Sequence, residues 1–86
     1  MGEYNITFAR SARKELEALD ALLVNRIVRR IDHLSHDPRP RNSIKLRGPE
    51  NLWRIRAGSY RVIYAIDDSR RVVDITAVRH RRDAYR

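Results

Sequence analysis

Apolar and polar residues alternate through Tyr4-Asn5-Ile6-Thr7-Phe8, the period of a short strand with one buried side. The period then lengthens. Ala12, Leu16 and Leu19 recur at helical spacing within residues 9–19, while Arg10, Arg13, Lys14 and Glu17 take the other side. That pattern predicts a short amphipathic helix. Asp20 stands where a second helix needs an N-cap. Leu23, Val24, Ile27, Val28, Ile31 and Leu34 follow as a sustained i, i+3, i+4 stripe. This helix is expected to end near His36, because Asp37 precedes Pro38 and a residue before proline is pushed out of the helical region. Two helices so close in sequence predict a helical hairpin with one shared apolar seam.

Two prolines within three residues make 37–42 a loop. Residues 44–46 suggest a short strand, and Gly48 to Asn51 a turn. Leu52 to Ala57 alternates again. Gly58-Ser59 marks a tight connection, and residues 60–66 are rich in aromatic and branched side chains suited to a strand. Asp67-Asp68-Ser69 is a turn, and residues 71–78 form the last strand, with Val72, Val73, Ile75 and Val78 as its apolar positions. The tail from Arg79 to Arg86 is polar and basic. The order β-α-α-β-β-β predicts an α+β fold: an antiparallel sheet with the helical hairpin packed on one face.

Composition adds bounds. A chain of 86 residues suits one domain over 1–86 with one small core. The sequence contains no cysteine, which removes disulfides and thiolate metal sites and fits a reducing compartment. The first ten residues do not read as a signal peptide, and no apolar run is long enough to span a bilayer, so a cytoplasmic protein without membrane attachment is expected. The net charge is +8, carried mostly by arginine, with Lys14 and Lys45 as the lysines. Arginine offers a planar fork suited to phosphate. A basic domain with its arginines concentrated in the second half points to a polyanionic partner.

Alternation puts Arg54 and Arg56 on one side of their strand and Trp53 and Ile55 on the other. If the hairpin sets Arg56 opposite Arg61, all three arginines share one face; a slip of one residue sends Arg61 to the wrong side. Opposed like charges destabilise a strand pair, so a fold that keeps them gains from an anion placed there. With Lys45, Arg47 and the basic tail, this face reads as a phosphate-binding groove rather than as an ordinary solvated surface.

Other residues offer less. His33 and His36 have a spacing that can ligate a metal, but no cysteine or carboxylate frame completes a site, and solvent-facing residues near a helix C-terminus are the simpler reading. His80 is either a general acid or base or a polar tail residue. Tyr85 is either a core plug or an aromatic that stacks on a base or handles a proton. No serine-centred triad, glycine-rich phosphate loop or paired-carboxylate motif is present. An enzyme built from arginines, a tyrosine and one histidine, with no cofactor, suits phosphodiester cleavage by positioning and charge neutralisation.

The stretch Leu46-Arg47-Gly48, followed by Leu52-Trp53-Arg54-Ile55-Arg56-Ala57-Gly58-Ser59-Tyr60-Arg61-Val62-Ile63-Tyr64, resembles the central hairpin of the RelE/ParE toxin superfamily. The ending Val78-Arg79-His80-Arg81-Arg82-Asp83-Ala84-Tyr85-Arg86 resembles the RelE-type C-terminus. The resemblance implies a toxin of a type II toxin–antitoxin pair. RelE-type members are endoribonucleases that cut messenger RNA, typically in the ribosomal A site, by attack of a 2′-hydroxyl on the adjacent phosphodiester, and so inhibit translation. Carried over, Arg54 and Arg56 match a basic pair that is often lysine in the family; as arginines they are poorer proton carriers. Arg61 matches the arginine supporting the reacting phosphate, and Arg81 the one assigned to charge stabilisation or leaving-group protonation. Tyr85 matches the tyrosine that stacks on the base or acts as base, though its spacing from Arg81 is shorter than in some members. His80 sits where some relatives carry histidine or lysine, and Lys45, Arg47 and Arg79 are expected to bind flanking RNA. The resemblance also implies an acidic antitoxin as partner, with promoter DNA bound only through the antitoxin complex. ParE-type members share the fold but inhibit DNA gyrase without nuclease activity, and that is the alternative function. An inactive partner-binding module is a third.

Overall fold

The computed structural model describes residues 3–48 and 50–82. Strand β1 (Asn5–Phe8) leads into helix α1 (Arg10–Glu17) and helix α2 (Ala21–His33). Strands β2 (Ile44–Lys45), β3 (Leu52–Ala57), β4 (Tyr60–Asp67) and β5 (Val72–His80) follow. Helix α2 starts as its sequence asks: the Asp20 carboxylate accepts the Leu23 backbone N–H at 3.0 Å. It ends at His33, before the expected limit; residues 34–36 continue as turns, and the Asp37 N–H donates to the His33 carbonyl at 3.0 Å.

The five strands lie in the order β1-β5-β4-β3-β2. The run from β2 to β5 is the expected antiparallel meander. The α+β fold with both helices against one face is as the sequence indicated, with one difference: β1 pairs with β5 in parallel, so the sheet is mixed. Chain direction explains it. β1 feeds straight into α1, which packs along β5, and the chain then reaches β5 only after crossing the whole sheet.

One face of the sheet supplies Ile55, Ala57, Val62, Tyr64, Ile66, Val73, Ile75 and Val78 to the core; the helices supply Ala12, Leu16, Ile27, Ile31 and Leu34. Val73 and Ile75 differ in parity from Val78, so a regular strand would turn one set outward. The register slips between Ile63 and Tyr64, where Ile63 faces Ala77 and Tyr64 faces Ile75, leaving Thr76 as the extra residue. The bulge keeps both sets in the core. Beyond the end of β1, α1 covers the open edge of β5: the Ser11 hydroxyl donates to the Thr76 carbonyl, and the Val78 N–H donates to Glu15 at 2.9 Å.

The 37–42 loop is strapped to the sheet. The Tyr64 hydroxyl, in a fully buried side chain, donates to the Pro38 carbonyl at 2.7 Å, and burial pushes its pKa up to about 12. Arg39 grips Asp68 through both terminal nitrogens, at 3.2 and 2.8 Å, and its guanidinium lies 5.2 Å from the Trp53 ring centroid. The Tyr4 hydroxyl donates to the same carboxylate at 2.7 Å. The Arg39 and Tyr4 hydrogen bonds lower the Asp68 pKa from 3.8 to about 2. A carboxylate held down in the folded state contributes its stability above the unfolded value and loses it as pH falls through the folded one. Thermal stability should therefore fall between about pH 4 and pH 2. Asp68→Asn should flatten that part of a melting-temperature profile; an unchanged slope would show that Asp68 does not anchor the strap. No helix among the described residues is long and apolar enough to cross a membrane.

Candidate functional site

The β3–β4 hairpin sets the site. Ala57 pairs with Tyr60, leaving Gly58-Ser59 as a two-residue connection. Gly58 has φ +64° and Ser59 does not have a positive φ, the arrangement of a type II′ turn with glycine first. This turn locks the register, and Arg56 faces Arg61 as the shared-face reading requires. Arg54, two residues before Arg56, lies on the same side. Across the next pair Arg61 faces Arg79, so three arginines stand in a row over three strands.

The row is not uniform. Arg56 is exposed, Arg61 is half-buried with its Nε out of solvent, and Arg54 is 8% exposed. Arg54 is thus part of the sheet's buried layer and not of the solvent-facing surface expected for it. Arg79 is turned toward α1, where its Nε lies 3.3 Å from a Glu15 oxygen.

An open cleft of about 430 Å³ lies at the turn end of the sheet, lined by Arg56, Gly58, Ser59, Tyr60, Arg61, Arg81 and Arg82. The tail reaches it through one fixed contact: the Arg81 N–H donates to the Ser59 carbonyl at 2.8 Å. No carboxylate is among the described residues that line it. Four guanidiniums converging on one opening form an anion site with many N–H donors at fixed angles.

The other sequence candidates fall elsewhere. His80 pairs with Tyr60 and so belongs to the helix side of the sheet; its ring meets Tyr60 edge-on at 5.3 Å between centroids, and its Nδ1 lies 3.3 Å from the Arg82 backbone nitrogen. It lines a separate hollow with Glu15, Leu19 and Arg79. Lys45 pairs with Trp53 and points to the face opposite Arg54. Arg47 is exposed in the bend after β2 and does not line the cleft. Tyr85 lies outside the described residues. His33 and His36 line a pocket with Arg30 and Asp37, but no group of three potential metal ligands occurs among the described residues. Arg82 and Ser59 are what the sequence reading missed. For Arg82 the signal was there, as one more arginine in the tail; for the Ser59 carbonyl there was none, because any residue offers one.

A family model described as the ParE toxin of the type II toxin–antitoxin system, parDE, matches residues 6–85. The chain is 32% identical over 84 residues to Toxin RelG of Mycobacterium tuberculosis, covering 96% of this chain and 97% of that one. Among solved structures it is similar to a chain of the archaeal RelE–RelB complex from Pyrococcus horikoshii, with TM-score 0.82, 31% identity and coverage of 92% and 96%. It is also similar to a chain of the RelBE2 toxin–antitoxin complex from M. tuberculosis, with TM-score 0.80, 31% identity and coverage of 91% and 98%.

Proposed function

The chain belongs to the ParE toxin family of type II toxin–antitoxin systems and has a RelE-like fold, and from that premise we propose that it is an endoribonuclease acting on messenger RNA in the cytoplasm and on the ribosome. The observation that carries this reading is the cleft: Arg56, Arg61, Arg81 and Arg82 line one opening, with no carboxylate among the described residues that line it. Such a site binds a phosphodiester and favours the extra negative charge that develops when the phosphorus becomes five-coordinate.

In the proposed reaction the substrate's 2′-hydroxyl attacks the adjacent phosphorus, and the bond from phosphorus to the 5′-oxygen breaks. The products are a 2′,3′-cyclic phosphate and a 5′-hydroxyl, with no water consumed. Arg61 and Arg56 hold the non-bridging oxygens, and Arg81 neutralises the leaving 5′-oxygen, which takes up a proton from solvent to become the hydroxyl. Arg54 backs the pair from within the sheet. Arginine keeps its proton, so the proton leaving the 2′-hydroxyl needs another acceptor, and Tyr85 is the residue that the family resemblance puts forward. The partner is an antitoxin of acidic character: the similar P. horikoshii chain is in a RelE–RelB complex and the M. tuberculosis chain in a toxin–antitoxin complex, and a basic cleft is what an acidic segment would cover.

The matching family description names ParE, which favours a second reading, inhibition of DNA gyrase without nuclease activity. Induced expression distinguishes the two. The RNase reading expects broken messenger RNA bearing 5′-hydroxyl ends, intact DNA, and toxicity indifferent to a resistant gyrase. Intact messenger with gyrase-dependent DNA breaks would replace it with the second reading.

A further inference from the structure

The arginines of this protein fall into two populations. Among the described residues the ion pairs are Arg39–Asp68, Arg70–Asp67, Arg71–Glu3 and Arg79–Glu15. The first three lie at the end of the sheet away from the cleft, around the β4–β5 turn. None of Arg26, Arg29 and Arg30 on α2 forms an ion pair among the described residues, and all three are exposed. On the helix, Leu22, Arg26, Arg29 and His33 follow i, i+4, i+7, i+11 and form one stripe opposite the buried Ile27 and Ile31, with Arg30 flanking it. Their side chains line one surface hollow together with Asn25. The helix's own acid, Asp32, stands three residues after Arg29, yet the two form no ion pair.

The stripe is continuous with the cleft. Gly58 lines the cleft, and an Arg26 terminal nitrogen lies 3.8 Å from where a Cβ on Gly58 would sit. Cationic surface therefore runs from the cleft past the β3–β4 turn and along α2. From Arg26 to His33 the helix rises about 10 Å. That is the length of about three stacked nucleotides at 3.4 Å each.

We propose that Arg26, Arg29 and Arg30 form a phosphate track that holds the single-stranded flank of the RNA whose reacting phosphate occupies the cleft. The inference rests on the RNase reading and extends it from a point of cleavage to a footprint. A row of donors with no acceptor partner among the described residues suits a backbone of regularly spaced phosphates better than it suits an apolar helix face, which would leave the guanidiniums desolvated and unpaired.

The test uses the full chain and fully 2′-O-methylated oligouridylates of four and twelve nucleotides, which lack the attacking hydroxyl. A variant with Arg26→Gln, Arg29→Gln and Arg30→Gln should bind the twelve-mer about tenfold more weakly at low salt. It should also lower the salt slope of binding by about two, at about 0.7 per phosphate contact. Binding of the four-mer, which fills only the cleft, should not change. A control that removes three cations from α1 (Arg10→Gln, Arg13→Gln, Lys14→Gln) should leave the twelve-mer nearly unaffected. Equal weakening of both oligomers, an equal loss in the α1 control, or no loss at all overturns the track. An unchanged twelve-mer with weaker binding of an acidic peptide would make the stripe a protein-docking face instead. Arg61→Ala tests the cleft separately through the four-mer: if four-mer binding survives it, the cleft assignment fails whatever the α2 variant does.

Discussion

Arg56→Gln is expected to abolish toxicity while leaving the fold as stable as before, or slightly more so. Arg56 is exposed and stands directly opposite Arg61, which in turn faces Arg79. Like charges opposed across a strand pair cost roughly 0.2–1 kcal/mol, so removing the outer member of the row relieves repulsion. Loss of one preorganised donor at a site of developing charge typically lowers a rate by about 10²–10³. The two effects have opposite signs, and that separates a functional arginine from a structural one. Growth after induction, messenger cleavage and a thermal melt together read both. Arg61→Ala should lose activity as well, but its buried Nε makes the stability half harder to interpret. Full toxicity in both variants would show that the cleft is not the active site.

Ile31→Ala is expected to be strongly destabilising. Ile31 is fully buried and lies in the core with the sheet residues Ile55 and Tyr64. Truncation removes apolar burial and leaves a cavity, at a combined cost of about 2–5 kcal/mol. A small domain has only about 5–15 kcal/mol in total. The melting temperature should fall by roughly 10 °C or more, at about 4–8 °C per kcal/mol for a domain of this size. Leu22→Ala on the same helix, at a position 84% exposed, should change it little. Equal effects at the two positions would mean that α2 does not pack as described.

Much of this contrast is legible without coordinates. The stripe of Leu23, Val24, Ile27, Val28, Ile31 and Leu34 omits Leu22, and the structure leaves Leu22 in solvent. Asp20 as N-cap, the two-residue connection at Gly58-Ser59 and the meander after the helices also follow from local pattern, because capping, turn chemistry and side-chain period act over a few residues. Other features depend on partners far away in sequence. The parallel pairing of β1 with β5 joins residues more than sixty positions apart. The bulge at Thr76 was hinted at by the change in parity from Ile75 to Val78, yet only pairing with β4 shows where the extra residue goes.

The candidate site divides in the same way. The sequence by itself determined that Arg54 and Arg56 share a side of their strand, that Arg61 joins them if the hairpin is in register, and that the chain carries a large excess of positive charge. Tertiary structure decided the rest. It fixed the register, buried Arg54, committed Arg79 to Glu15, carried His80 to the other face with Tyr60, and added Arg82 to the cleft through the Arg81–Ser59 contact. The physical reason is range. Which side of a strand a residue occupies is set by its neighbours along the chain, whereas burial, ion pairing and convergence on one opening depend on which elements the hydrophobic core brings together.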